Sequence, residues 1–221
     1  VISGTGVTVA IMDTGVDWQH PALLSQYRGY KPGGLTIHTG NWFCATDEGY
    51  VYPGDGYGHG THVAGTVVGR AVDDAPAIGV APGAQWIAVK ALNDAGWGYD
   101  SWIHAAFEWL LAPAGDPALA PDVVNGSWGD DNGEVETFRA DIQALRAAGI
   151  VPVFAAGNNG PESGTVGSPA SYAETIAVGA SGDLDQVLAF SSRGPSFWGE
   201  VKPEVVAPGI DDAKDGLEQI V

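Results

Sequence analysis

The sequence predicts an α/β fold of three layers, in which a mostly parallel sheet is flanked by helices. Two patterns indicate it: short apolar runs rich in β-branched residues, as at residues 7–12 and 150–156, and amphipathic stretches between such runs. Strands that alternate with helices form βαβ units, whose strands pair in parallel. Hydrophobic residues make up 45% of the 221-residue chain and charged residues 16%, a composition that can bury a sizeable core.

The predicted elements follow one another as βαβ units require. The first strand lies at residues 7–12, and residues 25–56, rich in Gly, Tyr and Pro, form loops with short strands. Apolar residues recur at three- and four-residue steps over 100–111 and over 135–148, which predicts two amphipathic helices, the second ended by Gly149. The remaining predictions are a buried helix at residues 62–70 and strands at 86–92, 122–125, 150–156 and 176–180.

Charge and composition exclude several classes of function. The formal net charge is −18, from 9 basic and 27 acidic residues, and no basic patch for nucleic acid is visible. No run of 18 apolar residues occurs, so we expect no membrane-spanning helix. The single cysteine, Cys44, excludes an internal disulfide and is interpreted as a small buried hydrophobic residue.

Three polar residues follow predicted strands or open a helix, where ligands of parallel sheets bind. Asp13 ends the first strand in Asp-Thr-Gly, a motif that aspartic peptidases also carry and that suits a simple turn. His59 lies in Gly-His-Gly-Thr-His-Val-Ala-Gly. His59 and His62 are three residues apart, but no Cys, Asp or Glu lies at a further helical step to complete a zinc site. Asn158 follows a buried strand and a glycine, where its amide can donate to an oxyanion or shape a turn.

An aspartate, a histidine and an amide donor in this order on an α/β chain resemble the subtilisin family of serine peptidases, whose chain order is Asp, His, Ser. Four further stretches strengthen the resemblance, which covers residues 4–210. They are Asp-Val-Val-Asn-Gly-Ser-Trp-Gly at 122–129, Gly-Trp-Gly-Tyr at 96–99, Phe-Ser-Ser-Arg-Gly-Pro at 190–195 and Lys-Pro-Glu-Val-Val-Ala-Pro-Gly at 202–209.

The resemblance implies a role for each matching residue. Asp13 would orient the imidazole of His59, His59 would act as general base and then general acid, and Asn158 would complete an oxyanion hole. His62 would be a structural residue of the buried helix. Two segments would flank an extended peptide substrate as added strands: Gly96, Trp97 and Gly98, and Ser127, Trp128 and Gly129.

The same resemblance implies that the chemistry requires no cofactor and that the protein is secreted. It is also compatible with structural calcium, for which Asp17, Asp47 and Asp55 are candidates, although no specific metal ligand set is apparent. The expected partner is an extended peptide or protein substrate rather than nucleic acid or a membrane.

The chain departs from the family pattern in one respect. The family's Gly-Thr-Ser-Met-Ala motif, which carries the nucleophile, does not occur in residues 1–221. We therefore expect a peptidase domain at 1–210 that lacks its C-terminal part, an atypical acidic tail at 211–221, and no hydrolysis by the chain alone. Ser127, Ser191 and Ser192 are not predicted to replace the nucleophile.

Three interpretations remain open at this level: a truncated peptidase domain, a domain completed by another fragment or by a second copy, and a non-catalytic scaffold that binds extended peptides. The absent segment would leave an apolar groove through which the chain self-associates, unless the tail, with Leu217, Ile220 and Val221 at helical steps, fills it.

Overall fold

The computed structural model describes residues 3–70, 78–182 and 184–209. They form two compact units, one of residues 3–125 and 147–150 and the other of residues 126–146 and 151–209. Neither unit by itself tests whether residues 1–210 form a single domain, so that statement stays a prediction. The predicted tail at 211–221 lies outside the described residues.

The first unit is built on four parallel strands: β1 Thr8–Asp13, β2 Trp42–Cys44, β3 Gln85–Lys90 and β4 Val123–Gly126. Their order is β2-β3-β1-β4, so β1 lies between β3 and β4. In the register of β1 and β3, Asp13 faces Lys90 at the carboxyl ends of both strands. β1 is apolar and buried along most of its length because it is an inner strand.

Two helices of the first unit carry the residues discussed below. Helix α1 spans His59–Val68 and buries Gly60, Val63, Ala64 and Val68. Helix α2 spans Asp100–Leu111 and buries Ile103, Ala106, Phe107 and Leu110, the face that the apolar spacing predicts. Three short 3₁₀ helices, Leu24–Gln26, Pro113–Gly115 and Pro117–Leu119, complete the unit.

The second unit contains helix α3, Arg139–Ala147, and strands β5 Val151–Ala155, β6 Ile176–Ser181 and β7 Val205–Pro208. The strands pair in parallel in the order β5-β6-β7. Helix α3 begins four residues later than the predicted 135–148. The side chains of Asp130 and Asn132 accept the N–H groups of Asn132 and Glu134, and the Val135 and Arg139 N–H groups donate to the Asn132 and Glu136 carbonyls, so turns continue up to the start of the helix.

The predicted fold class is confirmed. All seven strands among the described residues pair in parallel, and an α-helix follows each of β2, β3 and β4 along the chain. Within the described residues no helix is long and apolar enough to cross a membrane.

Candidate active site

The structure joins Asp13 and His59 in the first unit. The Nδ1 atom of His59 lies 2.7 Å from the Oδ1 atom of Asp13, a hydrogen-bonding distance. Asp13 is fully buried, whereas 30% of the His59 side chain is exposed. One ring nitrogen is therefore held by a buried carboxylate while the imidazole stays partly accessible, which is the arrangement of a histidine base with an orienting carboxylate.

Two glycines allow this close approach. A Cβ atom on Gly60, the second residue of α1, would lie 2.0 Å from the Gly15 carbonyl oxygen and 3.0 Å from the Asp13 Cβ atom. Gly15 has a φ of +109°, and a Cβ atom there would lie 1.9 Å from the Gly54 carbonyl oxygen. Gly60 therefore lets the first turn of α1 approach the turn after β1, and Gly15 lets the loop at Gly54 approach that same turn.

The hydrogen bond to Asp13 raises the pKa of His59 above its ordinary value. Burial acts in the opposite direction, but the negative charges of Asp13 and Asp55 add to the upward shift. The Asp13 Oδ1 atom also accepts the Thr14 N–H group at 2.7 Å. Its Oδ2 atom is buried and has no hydrogen-bond partner among the described residues, a costly feature of the kind found at functional sites.

A buried lysine supports the turn that follows Asp13. The Lys90 Nζ atom is buried; it donates to the Thr14 carbonyl at 2.7 Å and pairs with Asp94 at 2.6 Å and Glu48 at 3.1 Å. Burial opposes ionisation of Asp94, yet the hydrogen bonds from Lys90 and Tyr50 outweigh it and lower the pKa of Asp94. The same hydrogen bond to Asp94 raises the pKa of Tyr50 to about 12.

The predicted peptide-binding segment of the first unit, Gly96 to Gly98, is a tight loop closed on Asn93. The Asn93 N–H group donates to the Trp97 carbonyl at 2.8 Å, and the Asn93 side chain accepts the Trp97 N–H group at 3.0 Å. Among the described residues, the Gly96 carbonyl and the main-chain N–H and carbonyl groups of Gly98 have no hydrogen-bond partner. The Trp97 side chain is 75% exposed.

Asn158 belongs to the second unit, in the loop that follows β5. Gly157 has a φ of +106°, and its carbonyl accepts the Ser192 N–H group at 2.9 Å. On the other side of Asn158, the Asn159 N–H group donates to the Ser192 hydroxyl, and the Asn159 side chain donates to Asp131 at 2.7 Å. The main chain on either side of Asn158 is thus held by neighbouring segments.

The other predicted peptide-binding segment, Ser127 to Gly129, directly follows β4. The Trp128 ring does not project freely, because it packs edge to face on Phe138 and Phe154, with centroids 5.9 and 5.3 Å away. A Cβ atom on Gly129 would lie 2.8 Å from the Ser168 carbonyl oxygen, so this backbone passes close to its neighbour.

One histidine lies elsewhere than predicted, and several residues that support the site were not predicted. His62 was expected to be structural in a buried helix, but it lies on the exposed side of α1, three residues from His59. Thr14, Asp55 and Lys90 support the Asp13–His59 pair. Thr14 and Asp55 lie near the Asp13 and His59 motifs in the sequence, whereas Lys90 lies far from both. Asp55 was considered for calcium alone.

Metal binding stays a prediction. Within the described residues there is no group of three or more His, Cys, Asp or Glu side chains that could hold an ion. Both carboxylate oxygens of Asp55 accept hydrogen bonds from protein donors, and Asp17 accepts the Gln19 N–H group.

Comparisons with known proteins agree with this geometry. The model of the subtilase family matches residues 4–219. Bacillopeptidase F of Bacillus subtilis strain 168 is 48% identical over 222 residues, covering 94% of this chain and 15% of that protein. Serine protease AprX of the same strain is 35% identical over 224 residues, covering 95% of this chain and 48% of that protein. Subtilisin of Bacillus pumilus is 34% identical, covering 94% of this chain and 66% of that protein.

The chain thus spans less than half of the length of bacillopeptidase F and of AprX. The match to the family model nevertheless extends over nearly the whole sequence, and it includes the aspartate and histidine that the structure brings to 2.7 Å. The chain belongs to the subtilase family.

Proposed function

We propose that this chain provides the aspartate–histidine half of a serine endopeptidase site and that Asp13, His59 and Asn158 have the roles of the subtilisin type. The observation that carries the proposal is the 2.7 Å contact between buried Asp13 and partly exposed His59. In this proposal Asp13 orients the His59 ring and stabilises its protonated form, so that His59 accepts a proton from a nucleophile and then gives it to the leaving amine.

Asn158 supplies the amide that donates to the developing oxyanion. Its support is the resemblance of the loop to the family motif, together with the contacts on both sides of it. Gly157 and Asn159 are each hydrogen-bonded to Ser192, so the backbone that carries Asn158 is fixed before substrate binds. A preorganised donor stabilises the transition state more than one that must be ordered during the reaction.

We further propose that hydrolysis requires a serine that residues 1–221 do not supply. Ser191 and Ser192 are each 1% exposed, and their hydroxyls accept backbone N–H groups of Ala180 and Asn159. Neither is an accessible, activated nucleophile. The test is incubation of the chain with the p-nitroanilide of Ala-Ala-Pro-Phe and with a phosphonofluoridate. We expect neither release of nitroaniline nor labelling; turnover with stoichiometric labelling would contradict the proposal.

Replacing Asp13 by Asn tests the histidine's role without any need for turnover. Because the hydrogen bond to Asp13 raises the pKa of His59, we expect this pKa to fall in Asp13→Asn. A histidine with a raised folded-state pKa stabilises the fold below its unfolded pKa of about 6.5, and the contribution disappears as pH rises through the folded pKa. The stability advantage of the wild type over Asp13→Asn should therefore shrink at alkaline pH.

The measurement is proton NMR of the His59 Cε1–H signal as a function of pH, combined with chemical denaturation at several pH values. Replacement of the exposed His62 by Gln is the matched control and should leave the titration of His59 unchanged. An unaltered His59 pKa in Asp13→Asn would mean that the two residues do not work as a pair in solution.

We propose that Gly96 to Gly98 pairs with an extended peptide. The Gly96 carbonyl and the main-chain groups of Gly98 are the groups that an added strand would use, since they have no partner among the described residues. Replacing Trp97 by Ala should weaken binding of the Ala-Ala-Pro-Phe p-nitroanilide about fivefold, or ~1 kcal/mol. The free energy of unfolding should change by less than about 0.5 kcal/mol.

Amide shifts of Gly96 and Gly98 on titration with the tetrapeptide measure this binding. Leu35→Ala is the control, because Leu35 is also highly exposed but lies in a different loop of the same unit. If Trp97→Ala and Leu35→Ala bind the peptide with equal affinity, Gly96 to Gly98 is not the peptide-binding segment. Peptide binding is common to a peptidase and to a non-catalytic scaffold, so this titration tests the segment and does not distinguish those two functions.

Secretion and self-association are also proposals. Secretion rests on the family resemblance, and fractionation of the producing culture tests it. Self-association rests on the expected apolar groove, and sedimentation of the purified chain over a range of concentrations tests it. Structural calcium is tested by denaturation with and without a chelator.

A further inference from the structure

The N-cap residue of helix α1 is Gly58, which has no side chain with which to cap the helix. Gly58 has a φ of +97° and makes no side-chain hydrogen bond. The first N–H groups of a helix have no partner within the helix and must be satisfied from outside. Here two residues outside the helix, Thr14 and Asp55, accept these N–H groups.

The two caps join α1 to the turn that carries Asp13. The Thr14 hydroxyl accepts the Gly60 N–H group at 2.9 Å and donates to the Asp55 Oδ1 atom at 2.8 Å. The Asp55 Oδ2 atom accepts both the N–H group and the hydroxyl of Thr61, at 2.8 and 2.7 Å. Asp55 Oδ1 also accepts the Gly58 N–H group at 2.7 Å. His59 therefore lies between backbone groups that are tied to Asp55.

We propose that Asp55, acting through the Thr14 hydroxyl, is a positioning residue for His59: it locks the first turn of α1 to the turn after β1 and so sets the hydrogen bond between His59 and Asp13. The inference rests on the proposed pairing of these two residues. Thr14 is next to Asp13 in the chain and is 1% exposed, so the lock connects the two partners through a short path whose central hydroxyl is buried.

Asp55 also acts on His59 through its charge, and this effect has to be separated from positioning. The N-terminus of a helix carries a partial positive charge that disfavours a protonated histidine, and a carboxylate there offsets it. Replacing Asp55 changes both the charge and the hydrogen bonds. Replacing Thr14 by Val removes the hydroxyl without changing any charge, so the two variants together distinguish the mechanisms.

The experiment is NMR of the His59 ring in the full chain. The Nδ1 proton, shared with Asp13, should appear far downfield in the wild type and be lost in Asp55→Asn and in Thr14→Val, with a lower His59 pKa in both. Thr14→Ser keeps the hydroxyl and should restore the signal. Asp116→Asn removes one acidic residue that caps a loop elsewhere in the unit, and it should leave both readouts unchanged.

Three results would overturn the inference. The first is that the Nδ1 proton signal and the His59 pKa keep their wild-type values in both Asp55→Asn and Thr14→Val. The second is that the His59 pKa falls in Asp55→Asn but not in Thr14→Val, which would mean that Asp55 acts only through its charge. The third is measured on the wild type, so that it can be obtained even if the variants fail to fold. The lock requires the Gly60 and Thr61 amides to be protected from hydrogen exchange, and rapid exchange of these amides contradicts it. If Asp13→Asn leaves the His59 pKa unaltered, the pairing itself fails, a result distinct from these.

Discussion

Replacing Gly60 by Ala is expected to destabilise the protein by about 3 kcal/mol or more and to break the Asp13–His59 hydrogen bond. The added methyl group would lie 2.0 Å from the carbonyl oxygen of Gly15, a main-chain atom that cannot rotate away. Relief of this overlap requires α1 to move off the turn that follows β1. Since His59 is the first residue of α1, the movement carries the imidazole away from the buried carboxylate.

The matched control lies in the same helix. A Cβ atom on Gly65 meets nothing within 4 Å, so Gly65→Ala should stabilise the protein by up to about 1 kcal/mol through helix propensity. Urea denaturation gives the two free energies of unfolding, and the His59 titration reports the hydrogen bond. If both alanine variants behave alike, the close approach of α1 to β1 that the structure shows does not exist in solution.

Replacing Lys90 by Met is expected to destabilise the protein by about 2–3 kcal/mol. Removing one partner of a fully buried ion pair costs about 3–5 kcal/mol, because the remaining charge is left unpaired. The cost is lower here, since Asp94 and Glu48 are 35% and 29% exposed and water can reach them. The Thr14 carbonyl also loses its donor, so the turn after Asp13 should become less ordered.

The pH dependence of this variant gives a second test. An aspartate whose pKa is lowered on folding stabilises the fold above its unfolded pKa of about 3.9, and the contribution is lost as pH falls through the folded pKa. In Lys90→Met, the free energy of unfolding should therefore fall less on acidification than it does in the wild type. Lys31→Met, at an exposed loop position, should change the free energy of unfolding by less than about 0.5 kcal/mol. A flat difference between wild type and Lys90→Met from neutral to acid pH would contradict the assignment.

The regular elements were predictable where one local pattern dominates. Helix α2 spans Asp100–Leu111 as the apolar spacing predicts, because a strongly amphipathic stretch has only one way to bury its face. The start of α3 was placed too early, since residues 135–139 form turns, in which the Val135 and Arg139 N–H groups donate to carbonyls three residues back, before the helix begins. Strand β7 was not predicted at all; its four residues are exposed, so its sequence has no burial pattern to recognise.

The candidate site was predictable only in part. Asp13 and His59 stand out because one follows a predicted strand and the other begins a helix, each within a distinctive glycine-containing motif. Thr14, Asp55 and Lys90 belong to the same site, yet nothing in their own neighbourhoods indicates whether a threonine, an aspartate or a lysine will be buried. Their partners lie 41, 6 and 76 residues away along the chain, in the contacts Thr14–Asp55, Asp55–Thr61 and Lys90–Thr14.

The α/β class, the order of the motifs and the subtilase family are all present in the linear order of residues, because periodicity and motif spacing are local properties of a chain. Contacts between distant residues are not local, and folding alone decides them. The 2.7 Å distance between Asp13 and His59, the direction of the His59 pKa shift and the exposure of His62 all depend on how α1 packs against β1. That packing requires Gly60, whose missing side chain leaves room for the Gly15 carbonyl and the Asp13 side chain.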